Sequence, residues 1–398
     1  MKRLLFLLLV CTTALNSVYG QKKEIAQAQT YIKAGKDLDK AESMMRTLLK
    51  DSANTQNMKI WLALTEAIKM QYEQGNEKLY LKQAYDTTAL FQNSRKMFLA
   101  FEAMDSVDAM PDTKGRVELK YRKKNAQYLN VYRKNLYNGG LFFMSKQKYV
   151  EAFPMFDAFI DCERQPLFSA MKYGSNKQES LSACYLATYC GARLGDKALT
   201  MKYADRALAY QPGRENVIRF MAEVYQGEKN DSSYCRMLRM GVEDFPKSEY
   251  FFTRLVDYYN TRNMADSAMN VVEKAIATDS LNTLFLYAKA NILLNTGRYD
   301  DCIRECGNII KKDDAMADAY YSAGVAYLNL AFEAEKQNAK SQKKVVKAYY
   351  SKAMPYMERY RELAPESSDK WASALYNIYL NLNIGKKFEE VSRILEGE

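Results

Sequence analysis

Histidine is absent from all 398 residues, and that absence excludes a good deal of chemistry. No Ser-His or Cys-His nucleophile pair can form, no imidazole can shuttle a proton, and no histidine-ligated metal site is possible. Turn-formers are scarce too, at 17 Gly and 7 Pro. Sheets need frequent Gly, Asn and Pro turns, so the scarcity points to helices joined by short connections. Phosphate loops of the GxxxxGK[ST] type, GxSxG elbows, HExxH helices and paired CxxC motifs are all missing. The common signatures of nucleotide, acyl-transfer and metal chemistry go with them. No catalytic, cofactor-binding or metal-ligating constellation emerges, so the expectation is a non-enzyme without a cofactor.

What is present is globular in balance: 48% hydrophobic and 27% charged residues, with 31 tyrosines. The formal charge is +10. Two of these charges, Lys2 and Arg3, head an N-terminal leader in which Leu4 to Ala14 is mostly apolar and Val18-Tyr19-Gly20 offers a cleavage site. The apolar run is about half the length of a membrane-spanning helix. Residues 1–20 therefore read as a cleaved secretory signal, and the mature chain as periplasmic or secreted. Cys11 raises a lipoprotein alternative, but Val10 stands where such signals carry a small residue, which disfavours it. An exported chain is also separated from cytosolic nucleic acid, so nucleic acid is not an expected partner.

Six cysteines follow the leader: Cys162, Cys184, Cys190, Cys235, Cys302 and Cys306. An even number in an exported chain invites a disulfide framework. Their spacing argues against it. Cys184 and Cys190 point to different sides of one helix, and Cys302 and Cys306, at i and i+4, are poorly placed for disulfide geometry. They read as core thiols.

Self-similarity organises the middle of the chain. Blocks of 34 residues start at Leu181, Glu215, Glu249, Thr283 and Ala317. Each shows apolar residues at helical spacing over two segments with a polar break between them, the pattern of a helix hairpin. The block from Glu215 supplies Ile218, Met221, Ala222, Leu238, Gly241 and Pro246; the next supplies Phe252, Leu255, Tyr259, Ala268, Val272 and Ala275. The block from Thr283 supplies Leu286, Ala290, Leu293, Cys302, Cys306 and Ile309. Small residues at matching places let helices approach, and large ones fill the space between them. These blocks resemble the tetratricopeptide repeat. The resemblance implies an all-α, right-handed α-solenoid of stacked helix-turn-helix hairpins.

The same pattern extends outward. Residues 21–132 read as degenerate helical repeats, 133–366 as the main array, and 367–398 as a terminal hairpin. The array carries a spacer near 167–180 and an insertion near 331–347, rich in lysine, that should lengthen both helices of its hairpin. Pro154 and Pro355 both fall near the expected start of a second helix, where a missing donor costs least.

In such repeats the first helix of each pair lines an inner groove. Carried over by position, the resemblance implies partner-binding roles for Tyr185, Tyr189, Arg219, Glu223, Tyr250, Asp257, Asn260, Tyr287, Asn291 and Tyr321. Tyrosine, arginine and asparagine suit protein or peptide partners. The expected role is an exported interaction scaffold in envelope assembly, secretion or polysaccharide handling. The alternative is a self-associating structural subunit of an envelope complex. The lysine-rich insertion adds weak contact with an anionic membrane surface as a further expectation.

Overall fold

A computed structural model describes residues 21–336 and 342–396. The leader, with Cys11, and the centre of the insertion at 337–341 lie outside the described residues. Every regular element among the described residues is helical. The chain folds as two compact units, the first running to Val224 and the second starting at Tyr225.

The first unit opens with α1 (21–34) and α2 (Leu38–Leu48), followed by α3 (Met58–Tyr80) and α4 (Thr87–Asp108). Next come α5 (Arg122–Ser145) and α6 (Tyr149–Asp161), then α7 (Gln178–Leu194) closing on two short pieces, α8 (Lys197–Met201) and α9 (Ala204–Ala207). Helix α10 (Arg214–Gly227) contains the boundary. The second unit continues with α11 (Asp231–Asp244), α12 (Glu249–Asn260), α13 (Ala265–Thr278), α14 (Thr283–Asn295) and α15 (Tyr299–Lys312). It ends with α16 (Ala317–Lys336), α17 (Gln342–Leu363), α18 (Ser368–Leu382) and α19 (Gly385–Glu396). Within each unit helices pack in chain order on their neighbours, so each unit is a stack of consecutive hairpins.

Local chemistry sets the helix ends. The side chains of Asn57, Asp86, Asp196, Asn230 and Asn282 each accept a backbone N–H from the first turn they precede, which satisfies a donor the helix leaves open. Gly195 closes α7 at φ 67°, with its N–H on the Ala192 carbonyl, a conformation glycine adopts at little cost. The small positions of the repeat lie at the packing centre: Ala268, Ala290, Cys302, Cys306 and Ala323 are fully buried. Phe252 of α12 and Phe285 of α14 meet with ring centres 4.5 Å apart.

The tightest approach to backbone is at Gly191, where α7 crosses α8. A Cβ there would strike the Thr200 backbone nitrogen and come within 2.6 Å of the Leu199 carbonyl carbon. Backbone cannot swing aside as a side chain can. Gly191→Ala is therefore expected to cost about 1–3 kcal/mol or more, read as a lower urea midpoint at unchanged slope.

Three features depart from the sequence pattern. The helix carrying Arg133 begins at Arg122, so residue 133 lies inside it. Its start is held by the Asp108 carboxylate, which accepts the Tyr121 N–H at 2.9 Å, and by Arg122 paired with Asp105 at 2.8 Å. The spacer at 167–180 is no loose linker. It opens in a 3-10 turn, Pro166–Met171, with Leu167 and Phe168 buried, and its last residues already belong to α7. Pro355 does not start a helix: it lies in the middle of α17, because the insertion extends that helix toward its N-terminus. Its exposure leaves the unbonded carbonyl one turn earlier accessible to water.

A buried polar network pins the spacer. Glu163 accepts from Arg206 Nη2 at 2.8 Å and from the Ser180 hydroxyl, and lies 3.8 Å from Arg133. Arg206 also donates to the Ser175 carbonyl at 2.9 Å. Arg133 is clasped between the rings of Phe159 and Tyr173, at 3.7 and 4.0 Å from their centres. Nearby in the same unit, Glu102 of α4 is buried, and its Oε1 has no hydrogen-bond partner.

Candidate functional site

Four of the ten residues assigned to the groove lie in the first unit. Tyr185 and Tyr189 stand one turn apart on α7, while Arg219 and Glu223 stand one turn apart on α10. The Tyr185 ring stacks on Tyr210 at 5.4 Å with a 25° angle. Its other neighbour is Gly213, where any Cβ would press into the ring. Asn216 donates to the Tyr185 hydroxyl at 3.4 Å and accepts from Arg219 Nη2 at 3.0 Å. Three side chains from two helices thus hold one another in place.

Tyr189 lies among Tyr149 at 6.1 Å, Tyr185 at 6.5 Å and Phe220 at 6.0 Å. Burial raises the pKa of its hydroxyl, keeping it a neutral donor. Guanidinium groups edge the rings: Arg193 is 5.7 Å from the centre of Tyr149, and Arg219 is 5.4 Å from that of Phe220. The face combines aromatic area with fixed donors and the exposed carboxylate of Glu223. Such a surface can clamp a peptide by stacking and by charge-assisted hydrogen bonds.

The remaining six residues lie in the second unit and are less closely joined. Tyr250 meets Phe251 edge-on at 5.1 Å and carries the Arg254 guanidinium 3.8 Å from its ring centre. Asp257 is exposed and lines a cleft of about 340 Å3 with Tyr234, Tyr258, Arg254 and Arg262. Arg262 covers Tyr258 at 3.8 Å and pairs with Asp231 at 2.5 Å. Asn260 is half-buried at the last turn of α12. Tyr287 and Asn291 stand one turn apart on α14; Asn291 accepts from Asn295 Nδ2 at 2.8 Å, and burial raises the pKa of the Tyr287 hydroxyl. Tyr321 turns instead toward its own hairpin partner, its ring 4.9 Å from that of Tyr360.

Sequence position therefore found Tyr185, Tyr189 and Arg219 as one cluster, and Tyr287 with Asn291 as a second. It missed Tyr149 and Tyr210, which come from a second helix and a turn, places the repeat pattern assigns no contact role. It missed Arg254 and Arg262 as well, whose spacing from Tyr250 and Tyr258, at i and i+4, was the available signal. Among the described residues no group of three or more Cys, Asp or Glu is placed to hold a metal ion. No helix among them is long and apolar enough to cross a membrane.

No protein-family model matches the sequence, and no curated sequence matches it either. Solved structures do. One is YrrB, described as a TPR protein with an unusual peptide-binding site, at 16% identity over 49% of this chain and 91% of that one, with a TM-score of 0.34. Another is the C-terminal part of a TPR repeat-containing protein from Cytophaga hutchinsonii, at 14% identity over 63% and 91% of the two chains, with a TM-score of 0.43. Yeast Tom70 is similar at 11% identity over 95% and 91%, with a TM-score of 0.36.

Proposed function

We propose that this stack of tetratricopeptide-type hairpins is a non-catalytic scaffold that binds protein or peptide partners through the faces of its first helices. The observation that carries the reading is the ring-and-arginine cluster of Tyr149, Tyr185, Tyr189, Tyr210 and Arg219, held in place before any partner arrives. Preorganised aromatic and arginine side chains are the residues on which interface energy concentrates, because little entropy remains to be lost when they bind. The leader at 1–20 supports a periplasmic or secreted location, and with it a role in envelope assembly, secretion or polysaccharide handling. Lys336, Lys343, Lys344 and Lys347 are exposed on the flanks of the insertion and favour a weak additional contact with an anionic membrane surface.

Affinity capture from an envelope fraction tests the reading. A Tyr185→Ala, Arg219→Ala double variant should lose the partner, with affinity weakened by about 30-fold or more if these are anchor residues. A second variant combining changes at Tyr250, Asp257, Tyr287 and Asn291 reports on the other unit. Retention of the same partners by both variants, with helical circular dichroism intact, would rule out these faces.

A further inference from the structure

A second kind of site lies in the first unit, on the side formed by the second helices of successive hairpins. Helix α2 is short. It stops at Leu48, and the chain turns away through a 3-10 turn, Ser52–Asn54. Its shortness opens a cleft of about 330 Å3 between α2 and α4, floored by Trp61 and Leu64 of α3. Leu49 and the exposed Leu99 wall it. The Trp61 ring is fixed in this floor because its indole N–H donates to the Thr55 carbonyl at 2.7 Å.

The charges around this apolar floor are of one sign. Arg46, Lys50 and Lys96 line the cleft, and no acidic residue does. Behind them the buried Glu42 holds Arg46 at 2.8 Å and reaches Lys96 at 3.8 Å. Its other oxygen accepts from Gln71 at 3.0 Å. Two of the three cations thus share one engaged anion, which leaves the mouth positive above an aromatic and aliphatic floor. The larger cleft between α11 and α13 in the second unit, about 920 Å3, lacks this bias: Arg239 and Lys274 face Glu243 and Asp266.

We infer that the α2–α4 cleft binds a small amphiphilic anion, an apolar body seated on Trp61 with a single carboxylate held among Arg46, Lys50 and Lys96. The volume holds roughly ten waters, or an organic body of about as many heavy atoms, within the usual range for a ligand site. Apolar contact supplies the affinity and the cations select the sign, because an uncharged or cationic analogue leaves their charge uncompensated or opposed. Two sources share this chemistry: a free medium-chain carboxylic acid, and the apolar C-terminal residue of a peptide.

Trp61 makes the test direct, since the other tryptophan, Trp371, is buried in the second unit. The full mature chain is titrated with decanoate, decanol and decyltrimethylammonium, and with an acetylated Leu-Phe dipeptide as free acid and as amide, while tryptophan emission is followed. Saturable change with decanoate or the dipeptide acid is expected, at least tenfold tighter than with decanol or the amide, and the tighter of the two acids identifies the source. The signal should vanish in Trp61→Phe. It should weaken by at least tenfold in Lys50→Glu with Lys96→Glu, both at exposed positions, and the milder Lys50→Gln should give an intermediate shift. Equal responses to decanoate and decanol, a response surviving Trp61→Phe, or no saturable response to either acid would overturn the assignment.

Discussion

Replacing Glu163 with alanine is expected to lower the unfolding free energy of the first unit by about 3–5 kcal/mol, the usual cost of removing one member of a buried ion network. The expectation follows from what remains behind. Glu163 is the shared acceptor for Arg206 and Ser180 and the ion-pair partner of Arg133 at 3.8 Å, and Arg133 already has a buried Nε with no hydrogen-bond partner. Without the carboxylate, Arg133 and Arg206 lose their shared anion, and Arg133, with only 12% of its side chain exposed, is the harder of the two for water to reach. The loss should be local. Hydrogen exchange ought to speed up over 165–177, where Arg206 ties down the Ser175 carbonyl, and stay unchanged in the second unit. Glu163→Gln retains an acceptor but not the charge, and should fall between wild type and alanine. A melting curve for Glu163→Ala that overlays the wild type would show the network to be ornamental.

Glu102→Gln is expected to act in the opposite direction, and increasingly as pH rises above about 4.5. Burial, assisted by the neighbouring Asp161 charge and opposed by Arg95, lifts the Glu102 carboxyl from 4.5 to about 8. Between those values the folded chain holds a proton that the unfolded chain has released, so each increment of pH favours unfolding. The stability tied to this group is complete below about pH 4.5 and is lost as pH rises through 8. A displacement of this size is worth on the order of 3–5 kcal/mol. Glutamine is neutral throughout and cannot charge. The variant should match the wild type near pH 5 and exceed it by about that amount at pH 9, read from urea midpoints across the pH series. Parallel curves for the two proteins would show that Glu102 reaches solvent when it ionises.

The two cases show where sequence reasoning succeeds and where it stops. Periodicity locates helices, and here helices begin at Arg214, Glu249, Thr283 and Ala317 against block starts of 215, 249, 283 and 317. Ala268, Ala290, Cys302 and Cys306 are buried as small fillers because close helix approach demands it. Periodicity says nothing of Glu102, Glu163, Arg133 and Arg206. The last three are held by partners tens of residues apart in sequence. The candidate faces were half legible for a related reason. Tyr185, Tyr189 and Arg219 follow the repeat register, whereas Tyr149 and Tyr210 enter from elements that the register treats as scaffolding. Tyr321 fits the register and is nonetheless taken up by Tyr360.

The thiols give the molecule an internal stopwatch. Cys162, Cys184, Cys190, Cys302 and Cys306 are shut away from solvent and Cys235 is partly covered, and burial lifts Cys184 to about 11 and Cys190 to about 12. A neutral, enclosed thiol is almost inert toward alkylating reagents, so each of the five enclosed sulfurs becomes reactive only when its surroundings open. The six divide evenly at the unit boundary: Cys162, Cys184 and Cys190 before Val224, and Cys235, Cys302 and Cys306 after it. Mass added to one peptide set before the other would record which half of the chain breathes first, without a single engineered probe.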